Sequence, residues 1–138
     1  MVGLPANEVS VRIGTIAAGT DDERAVFVAP HDVIIEKIYV TVGTTVTAGA
    51  TDYTTIDFQA KGSAGSGTDS LGSFNTNTGG TTLTAFVPHS VGTLANNYIS
   101  KGEAVTFKKT DAASGDAVDE CLVTIVYKAQ QGLHQFVV

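Results

Sequence analysis

The stretch RAVFVAPHDVIIEKIYVTV, residues 24–42, holds the densest set of branched apolar residues in the chain. Two runs rich in β-forming residues, 24–29 and 33–42, lie on either side of Pro30. Proline cannot donate a hydrogen bond to a sheet ladder, so the first run must end at that residue. The stretch therefore predicts two consecutive strands at the central corner of a β-sandwich.

Side chains within this stretch alternate between two faces, as they do in a strand with one buried face. In the first run the alternation places Val26 and Val28 on one face and Phe27 on the other. In the second run the alternation fails near Glu36 and Lys37, which predicts a β-bulge at that point.

The rest of the chain repeats this pattern of short alternating runs separated by Gly, Asn and Ser turns. The last run has apolar residues on both faces, which predicts a central position in its sheet. No segment has a helical period, so we predict an all-β, antiparallel β-sandwich of eight or nine short strands. A jelly roll fits that number, whereas the alternative, an immunoglobulin-like sandwich, lacks its Cys and Trp pair. The remaining predicted strands are residues 9–13, 53–60, 71–74, 82–87, 94–99, 105–108 and 121–127.

A chain of 138 residues is long enough for a single core without metal or disulfide staples. The period-two pattern is absent from both ends of the sequence. We therefore predict an extended N-terminal arm over residues 1–8, one sandwich domain over residues 9–128, and a C-terminal tail over residues 129–138.

The charge of the chain narrows the class of partner. Acidic residues number 14 against 8 basic ones, a formal net charge of -6, and Lys108 and Lys109 are the only adjacent cations. Nucleic acid is not an expected partner, because phosphate binding needs several converging cations. No membrane is expected either, since no run approaches the roughly 20 apolar residues that span a bilayer. The first residues lack the pattern of a signal peptide, so we expect synthesis in the cytoplasm.

Cysteine and histidine give no predicted metal or catalytic centre. Cys121 is the single cysteine and lies in a predicted strand, so we expect a buried small side chain rather than a reactive thiol. His31, His89 and His134 lack the short spacings of metal ligands. His31 and His89 each follow a proline, and an alternative is that the two rings meet at one end of the sandwich.

The acidic turns and the Gly-rich segment do not have the patterns of calcium-binding, phosphate-binding or catalytic sites. The acidic residues of 21–23 and 116–120 do not have the spacing of a calcium loop, and solvated turns are the better interpretation. The Gly-rich residues 61–80 lack the lysine and the following helix of a phosphate-binding loop. No catalytic triad pattern is present. We therefore expect no enzyme activity and no cofactor.

Four segments, taken in their order along the chain, resemble the small β-sandwich decoration proteins of tailed bacteriophages, also called cement or head-stabilising proteins. They are VAPHDVIIEKIYV (28–40), AGATDYTTIDF (48–58), KGSAGSG (61–67) and KGEAVTF (101–107). The resemblance covers roughly residues 14–128 and leaves out the predicted arm and tail.

The resemblance implies a structural virion protein that binds the exterior of an assembled capsid. Such proteins commonly act as homotrimers that tie neighbouring major capsid subunits together. Apolar arms suit this role, because ordering an arm on a partner buries area that the monomer cannot supply. The residues expected to contact the capsid are Val2, Leu4, Pro5, Val9 and Val11, and those expected at a tail interface are Phe136, Val137 and Val138.

An alternative of another class is a carbohydrate-binding or receptor-binding sandwich, such as an adhesin or fibre component. Sites of that kind present exposed aromatic side chains. The chain has no Trp, and the candidate platform consists of Tyr39, Tyr53 and Tyr98.

Overall fold

The computed structural model of the chain describes residues 6–130, and every regular element in that part is a β-strand. None of the described residues belongs to a helix long and apolar enough to cross a membrane. The strands are β1 (Asn7–Ile16), β2 (Asp22–Val28), β3 (Val33–Thr41), β4 (Tyr53–Ala60), β5 (Asp69–Asn75), β6 (His89–Ser90), β7 (Tyr98–Ile99), β8 (Ala104–Ala112) and β9 (Val118–Ala129).

The strands form two antiparallel sheets that pack face to face. The first sheet has the order β1-β9-β3-β6, with β7 also pairing β3, and the second has the order β2-β8-β4-β5. The pairs are nested, since β1 pairs β9, β2 pairs β8, β3 pairs β6 and β7, and β4 pairs β5. This is the pattern of one long hairpin rolled into two layers, a jelly roll. The predicted β-sandwich is confirmed.

The core lies between the inner faces of the two sheets. Val33, Ile35 and Val40 of β3 are fully buried, as are Phe58 of β4 and Phe107 of β8. The rings of the two phenylalanines meet edge to face, with centroids 5.7 Å apart. That arrangement is the one aromatic pairs prefer, and it fixes β4 and β8 beside each other in the core.

Several details of the prediction are confirmed. Strand β4 runs over the predicted residues, Tyr53–Ala60. Strand β9 lies between β1 and β3 and is therefore central in its sheet. The pairing of β3 with β9 shifts register between Ile35 and Lys37, which places the bulge at Glu36.

The predicted faces of β2 are wrong. Val26 and Phe27 are both buried, whereas Val28 is 59% exposed. The cause is a register shift in the pairing of β2 with β8 between Ala25 and Phe27. A bulge places an extra residue on one strand, so strict alternation does not hold across Val26.

The predicted strand at residues 82–87 is also wrong. Leu83 forms only an isolated bridge with Val46, and a turn follows it. Strand β6 begins instead at His89, which was predicted to lie in a turn. In the predicted strand 94–99, only Tyr98 and Ile99 pair with β3.

The first and last strands extend beyond residues 9–128. Strand β1 begins at Asn7, inside the predicted arm, and β9 ends at Ala129, the first residue of the predicted tail.

Candidate binding surface

The outer face of the first sheet is partly apolar. Leu122 and Val126 of β9 and Ile34 of β3 point away from the core and remain half-buried. Tyr39 of β3 lies on the same face, and Tyr98 of β7, opposite Ile34 in the register, is 68% exposed. An antiparallel sheet normally has a polar face toward water, so this face has the composition of an interaction surface.

The outer face of the second sheet is polar and hydrogen-bonded to itself. Gln59 donates to Asp57 at 2.8 Å, and Glu23 accepts hydrogen bonds from Lys61 at 2.8 Å and Thr106 at 2.6 Å. Lys61 also reaches Gln59 at 3.4 Å, which joins the two groups into one network. The hydrogen bonds from Lys61 and Thr106 lower the pKa of Glu23 from its ordinary value of 4.5. This face already satisfies its own polar groups.

Three grooves open on the first sheet. The largest, of about 610 Å³, runs between β3 and the segment before β7 and includes Ile34, Tyr39 and Leu94. A second, of about 370 Å³, lies between Ile34 and Tyr98. A third, of about 280 Å³, is formed by Tyr39, Pro88 and two polar residues. Ile34 and Tyr39 are each shared by two grooves, so the three form a connected, uneven surface.

Two stretches of the sequence beside this surface carry no charge of their own, whereas Glu8 and Glu103, from other segments, line grooves together with them. Residues 38–51 and 70–100, which we call the uncharged flank, contain no Asp, Glu, Lys or Arg; all 22 such residues lie elsewhere in the chain. The two segments are brought together by the Val46–Leu83 and Gly49–Asn77 bridges. Interface cores are depleted of charged residues, so this flank suits a protein partner. The long charge-free runs were the sequence signal that would have found it.

Apolar side chains protrude from the uncharged flank at one turn. Phe86 is 78% exposed and Val87 54% exposed. Pro88 follows them and forms a wall of the smallest of the three grooves. The turn therefore adjoins the outer face of the first sheet at the end where β3 finishes.

At one end of the sandwich, charged residues are sealed inside. The side chain of Lys109 has no exposed surface, and its Nζ donates to both carboxylate oxygens of Asp111 at 2.6 Å. The same Nζ reaches the backbone carbonyls of Ala17 at 3.3 Å and Thr20 at 3.0 Å. Buried charges are tolerated when they are paired and hydrogen-bonded in this way.

Threonines extend this cluster across the sandwich end. Thr54 Oγ1 donates to Asp111 at 2.6 Å, and Thr76 Oγ1 donates to Asp116 at 2.6 Å. Thr76 Oγ1 in turn accepts from the backbone N–H of Thr54 at 2.9 Å. No buried side-chain nitrogen or oxygen among the described residues lacks a partner. The cluster therefore ties the loops at this end together.

The prediction that the acidic residues of 21–23 and 116–120 lie in solvated turns is incomplete. Asp21 accepts a hydrogen bond from the backbone N–H of Asp111 at 2.8 Å, and Asp116 belongs to the buried cluster. Among residues 6–130, no group of three or more His, Cys, Asp or Glu side chains is arranged to hold a metal ion.

Cys121 and the histidines are placed separately. Cys121 is fully buried, as predicted, and burial raises the pKa of its thiol to about 12. His89 is half-buried, with its ring 4.6 Å from that of Phe74, and desolvation lowers its pKa. His31 precedes β3, whereas His89 pairs with Val40 near the other end of that strand. The alternative in which these two rings meet is therefore wrong, and His134 lies outside the described residues.

The predicted capsid-contact residues divide into two groups. Val9 and Val11 lie on β1, half-buried against the core. Strand β1 is an edge strand whose second side pairs with no strand of residues 6–130, and the side chain of Arg24 donates to its Ile13 carbonyl at 2.7 Å. The others lie outside the described residues: Val2, Leu4, Pro5, Phe136, Val137 and Val138.

The predicted tyrosine platform is only partly assembled. Tyr39 and Tyr98 share the outer face of the first sheet. Tyr53 belongs to β4 in the second sheet and does not join them.

The sequence matches no protein-family model and no curated protein, and the structure matches no solved structure.

Proposed function

We propose that the chain is a structural virion protein which binds the exterior of an assembled bacteriophage capsid and bridges major capsid subunits. The resemblance of four segments to capsid decoration proteins suggests this role. The jelly-roll sandwich and the partly apolar outer face of the first sheet are compatible with it.

One observation carries the bridging part of the proposal. Asn7 pairs with Tyr127, so the first strand begins and the last strand finishes at the same end of the first sheet. The exposed turn at Phe86 lies at the opposite end, where its N–H bonds to the carbonyl of Val42. The nine residues of β3 separate the two ends by about 26 Å. The chain thus offers two attachment regions far enough apart to reach two subunits.

The mechanism is stabilisation by mass action. A protein that binds only the assembled lattice shifts the equilibrium away from disassembly by its binding free energy at every site. A homotrimer would raise the effective concentration of each attachment region once the first one is bound. The edge of β1 at Val9 and Val11 is available to extend a sheet toward a capsid subunit or a second copy.

The experiment is to mix the purified protein with mature capsids lacking it, prepared from the phage that encodes the chain. The native mass of the free protein is measured alongside. We expect co-sedimentation with the capsids and an increase in the temperature at which they open. If the protein stays in the supernatant even in molar excess over the capsid subunits, the proposal is wrong.

Two deletions locate the attachment at the chain ends. Removing residues 1–6 or residues 131–138 leaves all nine strands intact, so we expect an unchanged denaturant midpoint. Capsid binding should weaken strongly in each case. Capsid affinity equal to that of the full chain would remove the corresponding residues from the proposal.

A second candidate is supported by Tyr39 and Tyr98, which lie on one sheet face beside grooves of a size that suits a sugar. A carbohydrate-binding module would be retained on immobilised glycans. Replacing both tyrosines with alanine would abolish that retention.

A further inference from the structure

The turn at residues 84–88 holds a bulky apolar residue in an unfavourable conformation. Phe86 has a φ of 61°, in the left-handed region, and 78% of its surface is exposed. Bulky residues rarely adopt this conformation, and one that persists is characteristic of a functional site. The monomer gains little from the side chain, since most of the ring is in water.

The turn is fixed rather than left to vary. The N–H of Phe86 donates to the carbonyl of Val42 at 2.8 Å, and that of Val87 donates to Thr84 at 3.1 Å. The N–H of Ala85 donates to the hydroxyl of Thr45 at 3.0 Å. Three successive backbone groups are thus bonded, so the backbone from which the ring projects is held in place. A preorganised backbone loses little conformational entropy on binding.

The surroundings of Phe86 define the chemistry of its partner. The turn lies in the uncharged flank, and its neighbours Ala85, Val87 and Pro88 are apolar. A glycan site would place hydrogen-bonding side chains around the aromatic ring, and a membrane anchor would add cations. An exposed apolar ring whose neighbours along the chain are apolar and uncharged instead matches an interface anchor, and Glu8 is the charged residue that lines a groove with Pro88.

A second copy of this chain is a poorer acceptor for the ring. Four grooves formed by residues 6–130 each include at least one charged side chain, which an apolar ring would desolvate. These side chains are Glu36 and Lys37 in the first, Lys128 in the second, Glu8 in the third, and Asp69 and Glu103 in a fourth.

We propose that Phe86 is the anchor of the capsid interface and inserts into an uncharged, apolar pocket on a major capsid subunit. This inference rests on the proposed function and identifies the part of the surface that performs it. Val87 and Pro88 pack around the ring and exclude water from its contact.

The test compares three proteins in the capsid co-sedimentation assay: the wild type, Phe86→Gly and Asn96→Gly. Glycine at position 86 removes the ring and accepts the left-handed backbone. Asn96 is the matched control, because it is also exposed in the uncharged flank and has a φ of 51°. We expect about 30-fold weaker capsid binding for Phe86→Gly, the loss typical of an interface anchor, and less than about 2-fold for Asn96→Gly.

Each result has a separate meaning. Wild-type affinity in Phe86→Gly, with capsid binding by the wild type intact, overturns the anchor but leaves the proposed function standing. Absence of capsid binding by the wild type overturns both. A lower native mass for Phe86→Gly than for the wild type assigns the ring to an interface between copies and also overturns the anchor. Phe86→Leu keeps an apolar side chain, and we expect it to retain part of the affinity.

Discussion

Two regions of this molecule reverse the usual distribution of side chains. At one end of the sandwich, Lys109 and Asp111 are sealed in the interior, whereas at the turn of the uncharged flank Phe86 is left in water. The buried charges find all their partners within the chain. The ring of Phe86, by contrast, leaves most of its surface in water. The comparison separates residues that serve the fold of the monomer from residues whose contacts must come from elsewhere.

The difference follows from how each group is satisfied. An ammonium group needs several acceptors, and the carboxylate of Asp111 with two backbone carbonyls supplies them at Lys109. An apolar ring needs only contact area, which the monomer does not provide at Phe86. Mutations should therefore damage stability in the first region and binding in the second.

The largest effect is expected from Lys109→Met. The change leaves the carboxylate of Asp111 buried without its cation, which typically costs about 3–5 kcal/mol of unfolding free energy. Chemical denaturation measures this, with Lys108→Met as the control because Lys108 lies on the outer face of the same strand. An equal loss in the two variants would show that the buried pair does not stabilise the end of the sandwich.

Gly115→Ala should come next. Gly115 has a φ of +57°, and a β-carbon there would lie 2.1 Å from Cγ of Asp111. The left-handed strain and the displaced carboxylate together should cost about 2–3 kcal/mol. Gly65→Ala is the matched control, since its φ is +75° but no atom lies within 4 Å of the new β-carbon, and we expect about 1 kcal/mol. Equal costs would mean that crowding against Asp111 is unimportant.

Phe86→Gly should change the stability of the isolated protein by less than about 1 kcal/mol, because relief of backbone strain offsets the greater freedom of the unfolded chain. Phe107→Ala in the core removes a ring of similar size, and we expect it to cost about 3–5 kcal/mol. Thermal and chemical denaturation of the two variants would be compared. A large loss for Phe86→Gly would place the ring among the residues that stabilise the monomer.

The smallest effect concerns pH and the outer face of the second sheet. The pKa of Glu23 is lowered in the folded protein, so its ionised form stabilises the fold above pH 4.5, and this contribution is lost as the pH falls through the folded pKa. Its side chain is one-third exposed, and we expect less than about 1 kcal/mol. Glu23→Gln and Lys61→Met should both flatten the acid limb of stability against pH. An unaltered limb in both would exclude this pair as a source of acid sensitivity.

The sequence correctly predicted those elements whose conformation is determined by their own residues. Strand β4 was predicted residue for residue, because Thr54, Ile56 and Phe58 alternate without interruption. The turn at Phe86 was predicted as a strand, because its residues favour β-structure locally. Its conformation is set by hydrogen bonds to Val42 and Thr45, which are distant in sequence.

The candidate surface was predictable only in part. Tyr39 and Tyr98 could be named from composition, but their presence on one face depends on the pairing of β7 with β3. The predicted strand over residues 105–108 ended before Lys109 and Asp111. Their burial depends on the continuation of β8 to Ala112 and on the backbone carbonyls of Ala17 and Thr20, which lie in the loop between β1 and β2.

The nested strand pairing has a consequence for how the chain folds. Strand β1, near the start of the described residues, has only β9, near their end, as its partner in the sheet. A topology dominated by such distant contacts folds slowly, on the scale of milliseconds to seconds. During synthesis, β1 must wait for the whole sandwich to be translated before it can pair. We therefore expect the end of the first sheet where Asn7 pairs with Tyr127 to form after the rest of the sandwich.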